Sequence, residues 1–350
     1  MCGTVGMFVG CSALSYCPRS LLAAHPVEPS DEAPEDRASA EEAPEYRSAF
    51  QSWYDRASVR QAPRRTILED DTALQFFSPD LVPVAQHPLV KGLPERVFNA
   101  ILVQHLYRYL DFTAKLEYLV VNRTLVGIAH GSTGVRVPEE MRFDALKMYC
   151  DEAYHALSAV DLRRQVEHHS GVRAQLPDEP FFLRRLQQIL AELPAEERAL
   201  AELLFVVISE TLISASLAEI PDSDDLVPAV RNSIRDHALD EGRHHAYFAV
   251  FLRHLWAQLL PRERQFAGRL VPKLMDAFLL PDLESLRTEL TGYGLSADQV
   301  EQIIAEVYTP EVLSRHSRAT SRMTRRYFEQ LGAFDDPRAL AELHAHGYVS

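Results

Sequence analysis

The chain has 350 residues, enough for one large domain or two ordinary ones. Its composition of 47% hydrophobic and 25% charged residues is typical of a soluble globular protein. The formal net charge of −14 argues against nucleic acid or an anionic membrane as a partner, because both select basic surfaces. No C-x-x-C pair is present, which predicts a cytoplasmic protein without a disulfide framework or zinc site; the cysteines are Cys2, Cys11, Cys17 and Cys150.

The first 50 residues lack an apolar period and predict a disordered lead-in. Residues 1–22 have no basic n-region, so we do not interpret them as a signal peptide. Residues 26–45 are rich in Pro, Glu and Ala, a composition typical of flexible chain. The stretch 60–94 is rich in proline and predicts extended chain that wraps over a core. We therefore expect one helical domain over residues 51–350.

Long helical patterns follow Pro94, with almost no alternation of the β type. Four of them exceed twenty residues, against a usual helix length of about 11–12 residues. This pattern predicts an all-α protein, a four-helix bundle at about residues 95–259 with additional N- and C-terminal helices. The predicted helices are Glu95–His130, Pro138–His169, Phe181–Glu192, Pro194–Ile220 and Val227–Leu259, with shorter helices over 261–350.

Two of these helices each carry a single glutamate among apolar neighbours. Glu210 is the only ionisable residue between Leu203 and Leu217, a run that is too short for a membrane span of about 20 residues. Glu117 has apolar neighbours one turn away in the same way. Burial of a lone carboxylate costs several kcal/mol unless a cation compensates. The alternative is a glutamate that reaches out between helices.

The other two long helices share the pattern D-E-x-x-H. It occurs at Asp151-Glu152-Ala-Tyr-His155 and at Asp240-Glu241-Gly-Arg-His244. Of the 14 histidines, only these two have a glutamate three residues earlier, a spacing that places both side chains on one helix face. A single E-x-x-H is usually a solvated helix surface, but two copies beside two buried glutamates form a specific arrangement.

The combined set matches the carboxylate-bridged di-metal sites of ferritin-like bundles, in which two helices give one Glu and two give Glu-x-x-His. Four carboxylates offset two divalent cations, and mixed oxygen and nitrogen ligands suit iron, with manganese possible. His237 shares a face with Glu241 and His244, which makes it a seventh candidate ligand unless it only packs or hydrogen-bonds. Asp151 and Asp240 are predicted to accept a hydrogen bond from a ligand histidine on the facing helix, or else to be surface acids.

The run from His237 to His245, with Asp151-Glu152-Ala-Tyr-His155-Ala, resembles the AurF-like family of p-aminobenzoate N-oxygenases over about residues 94–259. The resemblance implies one iron held by Glu117 and His155, another by Glu210, His237 and His244, and Glu152 and Glu241 between them. It also implies oxidation of an aromatic amine by O2 to the hydroxylamine, nitroso or nitro product in natural-product biosynthesis. An external electron donor, a ferredoxin or flavin reductase, and a homodimer are implied as well.

The substrate pocket is less defined by the sequence than the ligands are. Tyr109 and Thr113 lie one or two turns before Glu117 on its face and could line a pocket, or could be core packing. Tyr154 is expected to point elsewhere, and Arg243 and His245 to lie at the surface or behind the ligands. Two other functions remain open, a diiron hydroxylase or desaturase that acts on C–H bonds, and a ferritin-like iron oxidase or store.

Overall fold

The protein, in a computed structural model, is described for residues 45–218 and 223–349, without the side chains of residues 72 and 214–218. Residues 45–94 form a segment, here named the N-terminal strap, that lies over the bundle. The strap contains short helices α1 (Trp53–Arg56), α2 (Ser58–Gln61) and α3 (Pro88–Lys91) and 3₁₀ turns at Glu69–Ala73, Pro79–Leu81 and Pro83–Gln86. Its apolar side chains at Phe50, Val82 and Val84 are fully buried, so it is part of the core.

Four long helical segments follow the strap and form the bundle. The first is α4 (Glu95–Leu116), which continues through a π-helical turn (Glu117–Val121) into α5 (Asn122–His130). The others are α6 (Glu139–Ser170), α8 (Ala195–Ala218) and α9 (Pro228–Gln258), with the short α7 (Phe181–Glu192) between α6 and α8. α6 packs against α4, α5 and α9, and α9 packs against α8. The predicted helices are confirmed to within a few residues at each end.

The helix ends follow from local sequence. Pro228 opens α9, where the missing N–H of proline costs no hydrogen bond. α5 and α6 end at Gly131 and Gly171, whose φ angles of 79° and 67° are left-handed and favour glycine. These stops allow the chain to reverse between neighbouring helices of the bundle.

The C-terminal part adds shorter helices on one side of the bundle. α10 (Pro261–Leu279) packs against α7 and α8, and Gly268 lets it approach the carbonyl oxygen of Ala333, where a Cβ would clash. The remaining helices are α11 (Leu283–Gly292), α12 (Ala297–Val307), α13 (Pro310–Thr320), α14 (Arg322–Gln330) and α15 (Pro337–Ala345). The predicted all-α class with additional terminal helices is confirmed.

The lead-in predicted for residues 1–50 lies outside the described residues up to residue 44. Within residues 45–50, Phe50 is buried and the Tyr46 hydroxyl donates a 2.7 Å hydrogen bond to Asp144 on α6. Among the described helices, none has the length and apolar character needed to cross a bilayer.

Candidate metal centre

The seven side chains proposed from the sequence meet inside the bundle. They come from all four long segments, and each is at most 6% exposed: Glu117, Glu152, His155, Glu210, His237, Glu241 and His244. In three overlapping groups, candidate ligand atoms of these residues lie within 4.8 Å of one another. The four helices therefore build one cluster of carboxylate and imidazole groups.

Glu152 and Glu241 occupy the middle of the cluster. One oxygen of Glu152 lies 2.9 Å from Nδ1 of His155, and the other lies 2.8 Å from Nδ1 of His244. Oε1 of Glu241 lies 3.1 Å from Nδ1 of His244 and 3.6 Å from Nδ1 of His155. Both carboxylates thus lie between His155 and His244.

His237 lies at the Glu117 end of the cluster. Its Nε2 is 3.0 Å from Glu241 and 3.9 Å from Glu117, and its ring centroid is 4.2 Å from that of His155. His244 instead lies 4.0 Å from Glu210. The resemblance implied that His237 joins Glu210 and His244. The described contacts of its Nε2 are with Glu117 and Glu241, and the ion that His237 would bind stays a prediction.

Glu117 is the first residue of the π-helical turn Glu117–Val121. Such a turn contains one more residue than a regular helical turn and occurs often at functional sites. Both carboxylate oxygens of Glu117 are buried and have no hydrogen-bond partner among the described residues. The turn therefore presents a buried carboxylate to the cluster, as the apolar neighbours of Glu117 in the sequence predict.

Asp151 and Asp240 link the two D-E-x-x-H helices in a crossed pattern. Nε2 of His155 on α6 lies 3.1 Å from Asp240 on α9, and Nε2 of His244 on α9 lies 3.2 Å from Asp151 on α6. Both hydrogen bonds have the geometry that the sequence predicts. With Nε2–H donated to aspartate, Nδ1 faces the glutamates, which is the orientation that a metal-ligating nitrogen would need.

The strap supplies a second donor to each of these aspartates, which sequence reasoning missed. The indole Nε1–H of Trp53 lies 2.9 Å from both oxygens of Asp151. The backbone N–H of Ser58 donates to Asp240 at 3.2 Å, and Arg243 forms an ion pair with the same aspartate. The apolar spacing of Phe50, Trp53 and Ala57 is a helical signal that could have placed this segment on the bundle.

Burial and close approach shift the pKa values of several residues in the cluster. Burial, with repulsion from neighbouring carboxylates, raises the pKa of Glu117 and of Glu210 well above the usual value. Burial alone would lower the pKa of His155, but hydrogen bonds to Asp240 and Glu152 outweigh it and raise this pKa to about 10. Four buried carboxylates so close together favour bound cations, since a divalent ion offsets their repulsion.

The donor set fits metal ions. One oxygen of Glu210 and both oxygens of Glu117 are buried without a hydrogen-bond partner in the described part of the chain. Buried polar atoms of this kind are rare, and an absent ion is one of the ordinary explanations. Oxygen and imidazole ligands without a thiolate suit iron or manganese. The cluster could therefore bind metal.

A small cavity adjoins the histidine side of the cluster. Its volume is about 20 Å³, roughly the space of one water molecule. Tyr109 and Thr113, predicted as pocket residues, both line it beside His155 and His237, and their buried hydroxyl oxygens have no partner among the described residues. Tyr154 also lines the cavity, so the expectation that it points elsewhere was wrong.

The two remaining residues flank the cluster differently. Arg243 lies behind the ligands through its ion pair with Asp240, one of the two alternatives that the sequence left open. His245 turns away from the cluster, and its Nε2 lies 2.7 Å from the hydroxyl of Tyr327 on α14.

The fold and this cluster define a helical-bundle protein with a buried carboxylate and histidine site that could bind metal. A family model described as P-aminobenzoate N-oxygenase AurF matches residues 48–332, and the chain belongs to this family. The chain is also similar to the 4-aminobenzoate N-oxygenase of Streptomyces thioluteus, with 26% identity over 294 residues. That match covers 79% of this chain and 85% of the relative, and the predicted family resemblance is confirmed.

Proposed function

We propose that the protein is a diiron, O2-dependent N-oxygenase that converts a primary aromatic amine to its hydroxylamine and more oxidised products. The observation that carries the proposal is the burial of four glutamates and three histidines from four helices in one cluster. Family membership and the name of the similar enzyme support the reaction class. Iron is the proposed metal because its redox chemistry suits O2 and its ligands are mixed oxygen and nitrogen.

The protein groups would hold two ions in a pre-organised site. Glu152 and Glu241 would contribute to both ions, Glu117, His155 and His237 would hold one of them, and Glu210 and His244 would hold the other. When bound, two iron ions supply the redox chemistry that activates O2. The buried apolar surroundings of Glu210 and Glu117 exclude bulk water and strengthen the electrostatic interactions inside the site.

The first oxidation needs electrons from outside the protein. In balanced form, ArNH2 + O2 + 2 e⁻ + 2 H⁺ gives ArNHOH + H2O. We propose a ferredoxin or flavin reductase as the source of these electrons, and a homodimer as the working assembly. Both parts of the proposal rest on the family membership.

The small cavity beside His155 and His237 is the proposed entrance for the amine. Tyr109 and Thr113 offer hydroxyl groups that can hydrogen-bond an amine or a polar ring substituent. A volume of about 20 Å³ is far below the ~300–1,000 Å³ of typical ligand sites, so side chains must move when the amine binds.

The test combines metal loading with a matched pair of variants on α8. The protein is loaded anaerobically with Fe(II), exposed to O2 and a chemical reductant with a panel of arylamines, and its products are identified by mass spectrometry. Glu210→Gln removes a ligand, whereas Glu202→Gln makes the same change at a partly exposed position of the same helix. We expect two irons per chain and N-oxidised product in the parent and in Glu202→Gln, but not in Glu210→Gln.

Other outcomes separate the alternatives. Ring or side-chain hydroxylation without N-oxidation would replace the proposal by a C–H hydroxylase. Iron loading far above two per chain, without any organic product, would favour storage. Full activity of Glu210→Gln with two bound irons would contradict the ligand set.

A further inference from the structure

The side chain of Trp53 links the strap to the candidate metal centre. Its indole ring is buried and its N–H lies 2.9 Å from each oxygen of Asp151, a residue 98 positions later in the sequence. The contact therefore depends on tertiary packing of the strap on α6. A hydrogen bond from an indole to a carboxylate is charge-assisted and about twice as strong as a neutral one.

Asp151 in turn contacts a candidate ligand, His244. It accepts from Nε2 of His244 at 3.2 Å, and Nδ1 of the same ring lies 2.8 Å from Glu152. Phe50, also in the strap, stacks on the His244 ring with 6.0 Å between centroids and 13° between planes. Two strap residues thus fix the ring that faces Glu210.

We propose that Trp53 is a positioning residue of the metal centre. Its N–H orients the carboxylate of Asp151, and Asp151 in turn sets the tautomer and the ring orientation of His244. The inference rests on the proposed function, because His244 acts as a ligand only if the cluster holds metal. Partners that hold a metal-ligating histidine are typically worth ~10–100-fold in metal affinity or activity.

Positioning through the strap has a reciprocal consequence. If docking of the strap strengthens metal binding, bound metal strengthens docking of the strap by the same factor. Local opening of the strap is therefore less frequent in the loaded protein. Arg56 and Arg60, both exposed in the strap beside Trp53, provide trypsin sites that report this opening.

The chain offers a matched control, because it contains only two tryptophans. Trp256 on α9 is as buried as Trp53, but its indole N–H has no hydrogen-bond partner among the described residues. Trp53→Phe and Trp256→Phe make the same change in ring size, and only the first removes a donor to Asp151. Both variants are titrated anaerobically with Fe(II), and the thermal stability of each apo-protein is measured.

We expect Trp53→Phe to bind one Fe(II) like the parent and the other more weakly, by no more than the ~10–100-fold that loss of a ligand's own hydrogen-bond partner costs. Trp256→Phe should bind both like the parent. Fe(II) should slow tryptic cleavage after Arg56 and Arg60 in the parent and in Trp256→Phe, but not in Trp53→Phe. A merely structural role would lower the stability of the apo-protein and leave the ratio of the two affinities as it is in the parent.

Three results would overturn the inference. The first is unchanged binding of both Fe(II) ions by Trp53→Phe, and the second is equal weakening of both sites. The third is tryptic cleavage of the parent strap at one rate with and without Fe(II). If the parent binds two Fe(II) but oxidises no amine, the proposed function fails while these measurements still decide the role of Trp53. A parent that binds no Fe(II) would overturn both.

Discussion

The two D-E-x-x-H helices, α6 and α9, share a pattern but differ in what supports it. In both, the glutamate lies at the middle of the cluster, the histidine turns Nδ1 toward it, and the aspartate accepts from the histidine of the other helix. This repeated pattern gives α6 and α9 the same arrangement of aspartate, glutamate and histidine. It is also the part that the sequence displays directly.

The residues around the D-E-x-x-H pattern differ between α6 and α9. One turn before the glutamate, α9 carries His237 where α6 carries the buried Met148. Three residues after the aspartate, α9 carries Arg243 where α6 carries Tyr154. The repeat therefore supplies the proposed ligands that α6 and α9 share, whereas residues such as His237 and Arg243 make the surroundings of the two copies chemically different.

The largest expected effect comes from making the helices alike at His237. His237→Met gives α9 the residue that α6 has, and its thioether suits softer metals than iron. We expect loss of Fe(II) at the Glu117 end by more than the ~10–100-fold that removal of an outer partner costs. Anaerobic equilibrium dialysis should then give one iron per chain where the parent has two. Met148→Leu is the control, and two irons bound tightly by His237→Met would show that His237 is not a ligand.

A smaller effect should separate the two aspartates. Asp151→Asn and Asp240→Asn each remove a charge behind a ligand histidine and should weaken one Fe(II) by ~10–100-fold. Asp240→Asn also leaves the mostly buried Arg243 without its anion, and loss of a hydrogen bond to a charged group costs about 1.5–3 kcal/mol. Thermal unfolding of the apo-proteins should therefore rank Asp240→Asn below Asp151→Asn. Equal melting temperatures would contradict the proposed difference between the surroundings of Asp151 on α6 and of Asp240 on α9.

The smallest effect is expected at Ser58. Its side chain donates to the backbone of Asp236, whereas its main-chain N–H supports Asp240. Ser58→Ala removes only the former bond, so the free energy of unfolding should fall by about 1 kcal/mol. Fe(II) binding should be unchanged, in contrast to Trp53→Phe, and both quantities can be measured by urea unfolding and anaerobic titration. A weakened metal site in Ser58→Ala would mean that the hydroxyl, not the backbone, supports the centre.

Much of the fold and the convergence of seven side chains followed from the sequence. The helices were predictable because apolar periodicity, and the proline and glycine residues at helix ends, are local signals. The E-x-x-H spacing is local as well, and two copies of it locate the bundle face that carries Glu152 and Glu241.

The remaining features depend on contacts between distant residues. Trp53 is 98 residues from Asp151, and Ser58 is 182 residues from Asp240, so no sequence window contains both partners. The end of the cluster at which His237 lies also depends on how α4, α6 and α9 pack. The π-helical turn departs from regular helical periodicity, so a prediction that assumes a constant helical period does not find it.

That turn has a consequence for the whole first helical segment. A regular helix rotates about 100° per residue, so one additional residue would turn every later side chain by that angle unless a wider turn absorbed it. Leu125 and Ile128 on α5 are fully buried, and α5 packs on α6. Because the wide turn absorbs the additional residue, deleting one residue such as Leu119 is expected to close it into a regular turn with these side chains still buried. The irregularity at Glu117 is thereby confined to one turn of the segment.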